Sequence, residues 1–231
     1  MNKHDVIKRI LKESVSYTFK NRSICFLPGE CKPSGTAGES LLGTIQDMLK
    51  RWGWLYSGLM GLFKPVWSST QMRDRFESLL RNHGPGSIVL NLGSGPERIK
   101  KRTDIINVDL YAFNEVDMIA DVTDLPLEDG SVELILNQAM LEHVTRPEVV
   151  VREMHRLLQP GGEVFCYLPF IQPFHAAPDV FLSVDDARGA ASIPALRSYR
   201  GGRWCRPNFR HAMDHTGMVR HFVFLRQSTS A

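Results

Sequence analysis

Four short runs in this 231-residue chain carry residue types that could grip a nucleoside, and two histidines could move a proton beside them. The first run is Asn91-Leu92-Gly93-Ser94-Gly95-Pro96, where two glycines follow an apolar stretch. Glycine lets the backbone turn sharply and approach a ligand closely, which suits the mouth of a site. Asp109, with Leu110 behind it, ends a second apolar run, and a carboxylate there can accept both hydroxyls of a ribose. Asp121 ends a third. Its carboxylate can accept from an adenine amino group, and the N–H of Val122 can reach a ring nitrogen. Asn137 ends a fourth run. His143, in LEHV, and His175, in PFIQPFHAAP, are the candidate general bases. His175 is favoured because its loop should face a second substrate.

These residues are useful only if something brings them to one place. Ile88–Leu92, Ile105–Asp109, Met118–Ala120, Val132–Leu136 and Glu163–Leu168 read as short buried strands. A helix is expected before the last of them, with Val150, Met154, Leu157 and Leu158 on its apolar face. Thr145 and Glu148 have capping-box spacing, Pro147 suits a first turn, and Pro160-Gly161-Gly162 should end the helix. Continuous apolar strands alternating with helices imply an α/β fold, a Rossmann-like parallel sheet covered on both faces. In such a sheet, ligands bind at the carboxyl ends of the strands, so the four runs should share one rim. The link from the glycine run to the second strand is short, which predicts a first helix clipped to a turn or two.

The bulk numbers set bounds. A hydrophobic fraction of 43% and a charged fraction of 23% can build a buried core. A formal charge of +3 is too small to argue for nucleic acid, and none is expected as a partner. Cys25, Cys31, Cys166 and Cys205 lack metal-ligand spacing, so no metal is expected, and they read as reduced thiols of a cytoplasmic protein. The first residues have no apolar core with a small-residue cleavage site, and no stretch reaches the ~18 apolar residues of a spanning helix. The chain divides into a helical and loop extension over 1–82, the sheet domain over 83–181 and an irregular tail over 182–231.

VLNLGSGP, NVDLY, IADVTDLPLEDGSVELILNQAMLEHV and EMHRLLQPGGEVFCYLPF together resemble the methyltransferase type 11 domain family, which are class I S-adenosylmethionine-dependent methyltransferases. The resemblance covers roughly Ser87 to Phe174. It implies S-adenosyl-L-methionine as cofactor, with Gly93 and Gly95 beside the methionine moiety, Asp109 holding the ribose, and Ser94 and Leu110 among the other cofactor-binding residues. It places Asp121 and Val122 at the adenine and Asn137 near the sulfonium. The family usually has an acid where this chain has Asn91 and a small residue where it has Glu97. Asn91 keeps an acceptor without the charge. Glu97 restores some of that charge and would repel a dinucleotide's diphosphate, as the missing third glycine also argues.

The implied activity is methyl transfer to a small-molecule or lipid-linked acceptor. Two readings compete with it, a non-catalytic cofactor-binding relic and a membrane-peripheral adaptor. The adaptor reading rests on Trp52–Trp67, an aromatic stretch flanked by Lys50, Arg51 and Lys64 that reads either as a cover for the domain or as a peripheral membrane contact.

Beyond Leu182 the pattern fades, with only His221–Leu225 strand-like, so the terminal strands of the sheet are expected to be missing or disordered. The family tends to continue there with Arg, an aromatic residue and Thr. Read one base out of frame, Val184 to Arg188 can encode Trp-Thr-Met-Pro-Gly, and Met213-Asp214 and Met218-Val219 must each give Trp. A frameshift near Leu182 would explain the tail, and it implies a marginally stable chain with weak or no activity.

Overall fold

A computed structural model describes residues 2–20, 22–27, 70–96, 98–168, 204–213 and 219–227; side chains are not described for residues 70–72, 168 and the last two segments. The elements in chain order are α1 (Lys3–Arg9), β1 (Thr18–Lys20), β2 (Ser23–Cys25), α2 (Thr70–Asn82), β3 (Val89–Leu92), β4 (Ile106–Asp109) and β5 (Met118–Ile119). They are followed by β6 (Val132–Gln138), a 3-10 turn at Leu141–His143, α3 (Pro147–Leu157), β7 (Leu158–Leu168), β8 (Trp204–Met213) and β9 (Val219–Gln227).

Among the described residues the strands form one sheet in the order β1-β2-β5-β4-β3-β6-β7-β9-β8. The six strands from β2 to β7 run parallel, so their carboxyl ends share a rim. β1 closes one side antiparallel, and β9 and β8 close the other. The chain progresses outward from β3 through β4 to β5, then returns to β6 on the opposite side of β3. That reversal opens a crevice between β3 and β6, where Leu92 lies opposite Asn137.

All four residues of β3 and of β4 are buried, as strands covered on both faces require. On one face, Leu90, Leu92, Ile106 and Val108 pack with Ile7 and Ile10 of the α1 segment and with Val150, Val151, Met154 and Leu157 of α3. On the other, Val89, Ile105, Leu134, Leu136 and Phe165 meet Leu79 and Leu80 of α2. Phe76 of α2 sets its ring edge-on to Phe165, with centroids 5.3 Å apart. Arg102 closes the carboxyl end of α2, donating to the carbonyls of Leu80, His83 and Gly84 while Asp104 holds its guanidinium. A cation at a helix C-terminus satisfies carbonyls that have no partner inside the helix.

The Rossmann-like parallel sheet is as expected, and several local expectations are corrected. The terminal strands expected to be missing are present: β9 pairs with β7, and β8 pairs with β9. Without them β7 would offer an unpaired edge beside the core. α3 starts on Arg146 and Pro147 with no side-chain cap, so the Thr145–Glu148 box does not form. Pro147 preorganises that first turn without it. α3 also ends at Leu157, and Pro160-Gly161-Gly162 lie inside β7 rather than at a helix stop. A register shift against β6 lets that strand begin early. No helix follows the glycine run among residues 98–105. Cys25 is disulfide-bonded, correcting the reading of four reduced thiols, because a count of cysteines does not show which ones folding brings together.

The segment read as an N-terminal extension contributes α1, β1 and β2 to the same body. Leu11 bridges to Leu127, Lys12 N–H donates to the Pro126 carbonyl, and Glu128 N–H donates to that of Ile10. No helix among the described residues is long and apolar enough to cross a membrane. Trp52–Trp67, Glu97 and His175 lie outside the described residues.

Candidate functional site

β3 delivers the chain to the rim and the glycines turn it. Gly93 and Gly95 adopt φ of +68° and +62°, a region that side chains other than glycine occupy only at a cost. The turn is fastened to β4, because the N–H groups of Gly93 and Ser94 both donate to the Val108 carbonyl, at 2.9 and 3.2 Å. The two glycines serve different ends. A Cβ on Gly93 would lie 2.6 Å from Met140 Cβ and closer still to its Cγ, whereas a Cβ on Gly95 would meet nothing within 4 Å. Gly93 therefore permits packing below the turn, and Gly95 leaves open space above it.

Asp109 sits beside the turn. Its Oδ2 accepts from Gly95 N–H at 2.8 Å and its Oδ1 from Tyr111 N–H at 3.0 Å. Burial pushes its carboxyl above the usual range, and the backbone donors at Tyr111, Gly95 and Leu110 oppose that shift. A carboxylate held this way is oriented before any ligand arrives, and each oxygen keeps a lone pair for a hydroxyl donor.

Asp121 follows β5 on the same rim and is exposed. Its Oδ1 accepts from both the N–H and the hydroxyl of Thr123, at 2.9 and 2.7 Å, forming a local turn. The loop behind it is pinned from α3. Glu153 Oε1 accepts from Leu125 N–H at 2.6 Å, and Arg156 donates to the carbonyls of Leu125 and Leu127. Arg156 also bridges Glu153 and Asp129. Val122 is partly buried against the core.

Asn91 and Asn137 behave differently. Asn91 Nδ2 donates to Asn107 Oδ1 at 3.1 Å, and Asn107 in turn donates to the Glu115 carbonyl. Asn91 is thus tied inside the sheet, one strand residue short of the turn. Asn137 Nδ2 donates to the Leu92 carbonyl at 3.4 Å, while its Oδ1 is buried without a partner. The next residue but one, Ala139, has φ +53° and donates its N–H to Tyr167, so the backbone leaves β6 in a strained conformation. His143 lies in the 3-10 turn that follows, its Nε2 3.9 Å from Glu142 Oε1.

The structure thus brings Gly93, Ser94, Gly95, Asp109, Leu110, Asp121, Val122 and Asn137 to one sheet edge. Sequence reasoning missed Met140, Glu142, Glu153, Arg156 and Asn107. A methionine beneath a glycine, or a helical Glu–Arg pair clamping a loop, has no local pattern. A cleft of about 310 Å³ between α2 and the stretch after the turn is lined by Arg73, Phe76, Glu77, Arg98 and the residues to Lys101, and it includes none of the rim residues.

Residues 93–166 match the family model described as "Methyltransferase domain", a span that runs from the first glycine of the turn almost to the carboxyl end of β7. Over this span the chain is similar to methyltransferase domains. Over an alignment of 128 residues, taking in 43% of this chain and 51% of the relative, it is 38% identical to a ubiquinone/menaquinone biosynthesis C-methyltransferase of Rubrivivax gelatinosus. The chain thus spans about half the length of that relative.

Among solved structures, the fold resembles the 1,6-didemethyltoxoflavin-N1-methyltransferase of Burkholderia thailandensis, solved with bound 1,6-didemethyltoxoflavin and S-adenosylhomocysteine. That likeness has a TM-score of 0.50 and 16% identity, covering 83% of this chain and 92% of that one. It also resembles the cyclase SpnF, with a TM-score of 0.51 and 14% identity, covering 68% of this chain and 81% of that one. A solved methyltransferase and a solved cyclase sharing this fold show that the sheet alone does not fix the reaction.

Proposed function

We propose that the methyltransferase domain binds S-adenosyl-L-methionine along this rim and transfers its methyl group to a small-molecule or lipid-linked acceptor. The observation that carries the reading is the Gly93–Gly95 turn, held by Asp109 at the crevice between β3 and β6 inside the family-matched span. Two features fit the ligand. The space above Gly95 is open, and Asn137 presents a buried oxygen with no partner.

In this reading Gly93, Ser94 and Gly95 flank the methionine portion, Asp109 with Leu110 holds the ribose, Asp121 and Val122 meet the adenine, and Asn137 lies by the sulfonium. The cofactor supplies an electrophilic methyl carbon, so the hard chemistry is its own. The chain's residues align the acceptor and exclude water. A base is required only where the acceptor atom arrives protonated, and His175 or His143 takes that part.

A second reading, a cofactor-binding relic without turnover, draws on Asn91, a neutral residue already committed to Asn107. Calorimetry and thermal melting of the full chain with S-adenosylhomocysteine test binding. Release of S-adenosylhomocysteine from S-adenosylmethionine in the presence of candidate acceptors tests turnover. Binding with a raised melting temperature supports the cofactor site. A saturating ligand that leaves the melting temperature unchanged overturns it, and binding without turnover across acceptors favours the relic.

A further inference from the structure

Among the described residues, three buried side-chain oxygens have no hydrogen-bond partner, and they fall within one short stretch of chain: Asn137 Oδ1, Glu142 Oε1 and Glu142 Oε2. Buried polar atoms are nearly always paired, and a buried carboxylate with neither oxygen satisfied is especially costly. Two unsatisfied oxygens on one side chain therefore call for a functional reason.

The location supplies one. Glu142 occupies the middle of the Leu141–His143 turn, two residues after Met140, the side chain packed against Gly93. The His143 ring approaches it, Nε2 lying 3.9 Å from Oε1. Burial raises its carboxyl to about 7, with only its own backbone N–H opposing that shift.

The other rim groups are engaged. Asp109 accepts backbone N–H groups on both oxygens, Asp121 accepts from Thr123, and Asn91 is neutral and bonded to Asn107. In the cofactor reading Asp109 and Asp121 are taken by the ribose and the adenine, so a protonated amine at the methionine end needs a counter-charge other than these. An ammonium has three N–H donors and a positive charge, which is the chemical complement of acceptor oxygens with nothing to accept.

We infer that Glu142, with Asn137 Oδ1, receives an ammonium group at the rim, that of the cofactor's own methionine moiety. The inference rests on the cofactor reading above, and it makes Glu142 a positioning and affinity residue that replaces a charge Asn91 does not provide.

The test uses the full-length chain and its Glu142→Gln variant, titrated by calorimetry with S-adenosylhomocysteine and with 5′-methylthioadenosine, which keeps the adenosyl thioether but lacks the amino acid. The variant should bind S-adenosylhomocysteine about 10-fold or more weakly and 5′-methylthioadenosine within about 2-fold of wild type, in line with a lost charge-assisted bond. Unchanged 5′-methylthioadenosine binding also shows that the variant folds.

An acceptor amine is the alternative source of the same group. In that case S-adenosylhomocysteine binds both proteins equally, and n-butylamine raises the melting temperature of the wild-type complex but not of the variant's. If both nucleosides weaken together, Glu142 is structural and the inference falls. It falls as well if neither nucleoside nor amine distinguishes the two proteins. Wild type that binds neither nucleoside overturns the cofactor reading itself, and this inference with it.

Discussion

Asp109 and Asp121 are the same residue type at the ends of adjacent parallel strands, yet the fold treats them in opposite ways. Asp109 is buried, its carboxyl raised by that burial, and it serves as the acceptor that fastens Gly95 and Tyr111. Asp121 is exposed and turns one oxygen back on its own loop. The first is part of the scaffold, oriented by its backbone donors. The second adds a local turn whose position is set from elsewhere, by Glu153 and Arg156 on α3. A carboxylate at a strand end can therefore be a keystone or an ornament of the same rim, depending on what surrounds it.

Substitution separates the two roles, and the largest effect is expected at Asp109. Asp109→Ala removes two charge-assisted bonds to backbone N–H groups, each worth about 1.5–3 kcal/mol. It should lower S-adenosylhomocysteine affinity by about 100-fold or more and also lower the urea midpoint. Binding within about 3-fold of wild type would show that the ribose is held elsewhere.

The glycines sharpen the same contrast between packing and mere position. Gly93→Ala combines left-handed strain of roughly 1–2 kcal/mol with overpacking against Met140 of about 1–3 kcal/mol. Gly95→Ala carries the strain alone, since the space there is open. Urea unfolding should show Gly93→Ala as the more damaging of the two. Its cost should shrink in a Met140→Gly background, which removes both clashing atoms, and a double-mutant cycle reads the coupling directly. Equal losses at both glycines would mean that Met140 yields easily.

The smallest effect belongs to Asp121. Asp121→Ala loses only an exposed local turn, so stability should change by no more than about 0.5 kcal/mol, while nucleoside affinity falls roughly 10-fold. A large stability loss would place Asp121 with Asp109 as scaffold.

The Arg156 clamp shows why some of this was legible in sequence and some was not. The strands from Val89 to Leu168 announce themselves as apolar runs bounded by turn residues, and the rim residues follow because parallel strands must end on one side. Arg156, by contrast, looks like one more basic residue near a helix end until folding sets it beside the carbonyls of Leu125 and Leu127. Thr145 and Glu148 had the right spacing for a cap, and the chain did not use it. Spacing permits a side-chain bond, but the competing backbone geometry decides whether it forms.

The sequence by itself determined the alternation of strands and helices, the glycine turn and the two aspartates at strand ends, because periodicity and backbone freedom are properties of neighbouring residues. Only the tertiary structure decided that Asn91 is spent on Asn107, that Met140 fills the space under Gly93, that the Glu142 carboxyl is buried without a hydrogen-bond partner, and that β8 and β9 complete the sheet. These depend on contacts between segments distant in the chain, where burial and pairing are set by what the fold places alongside.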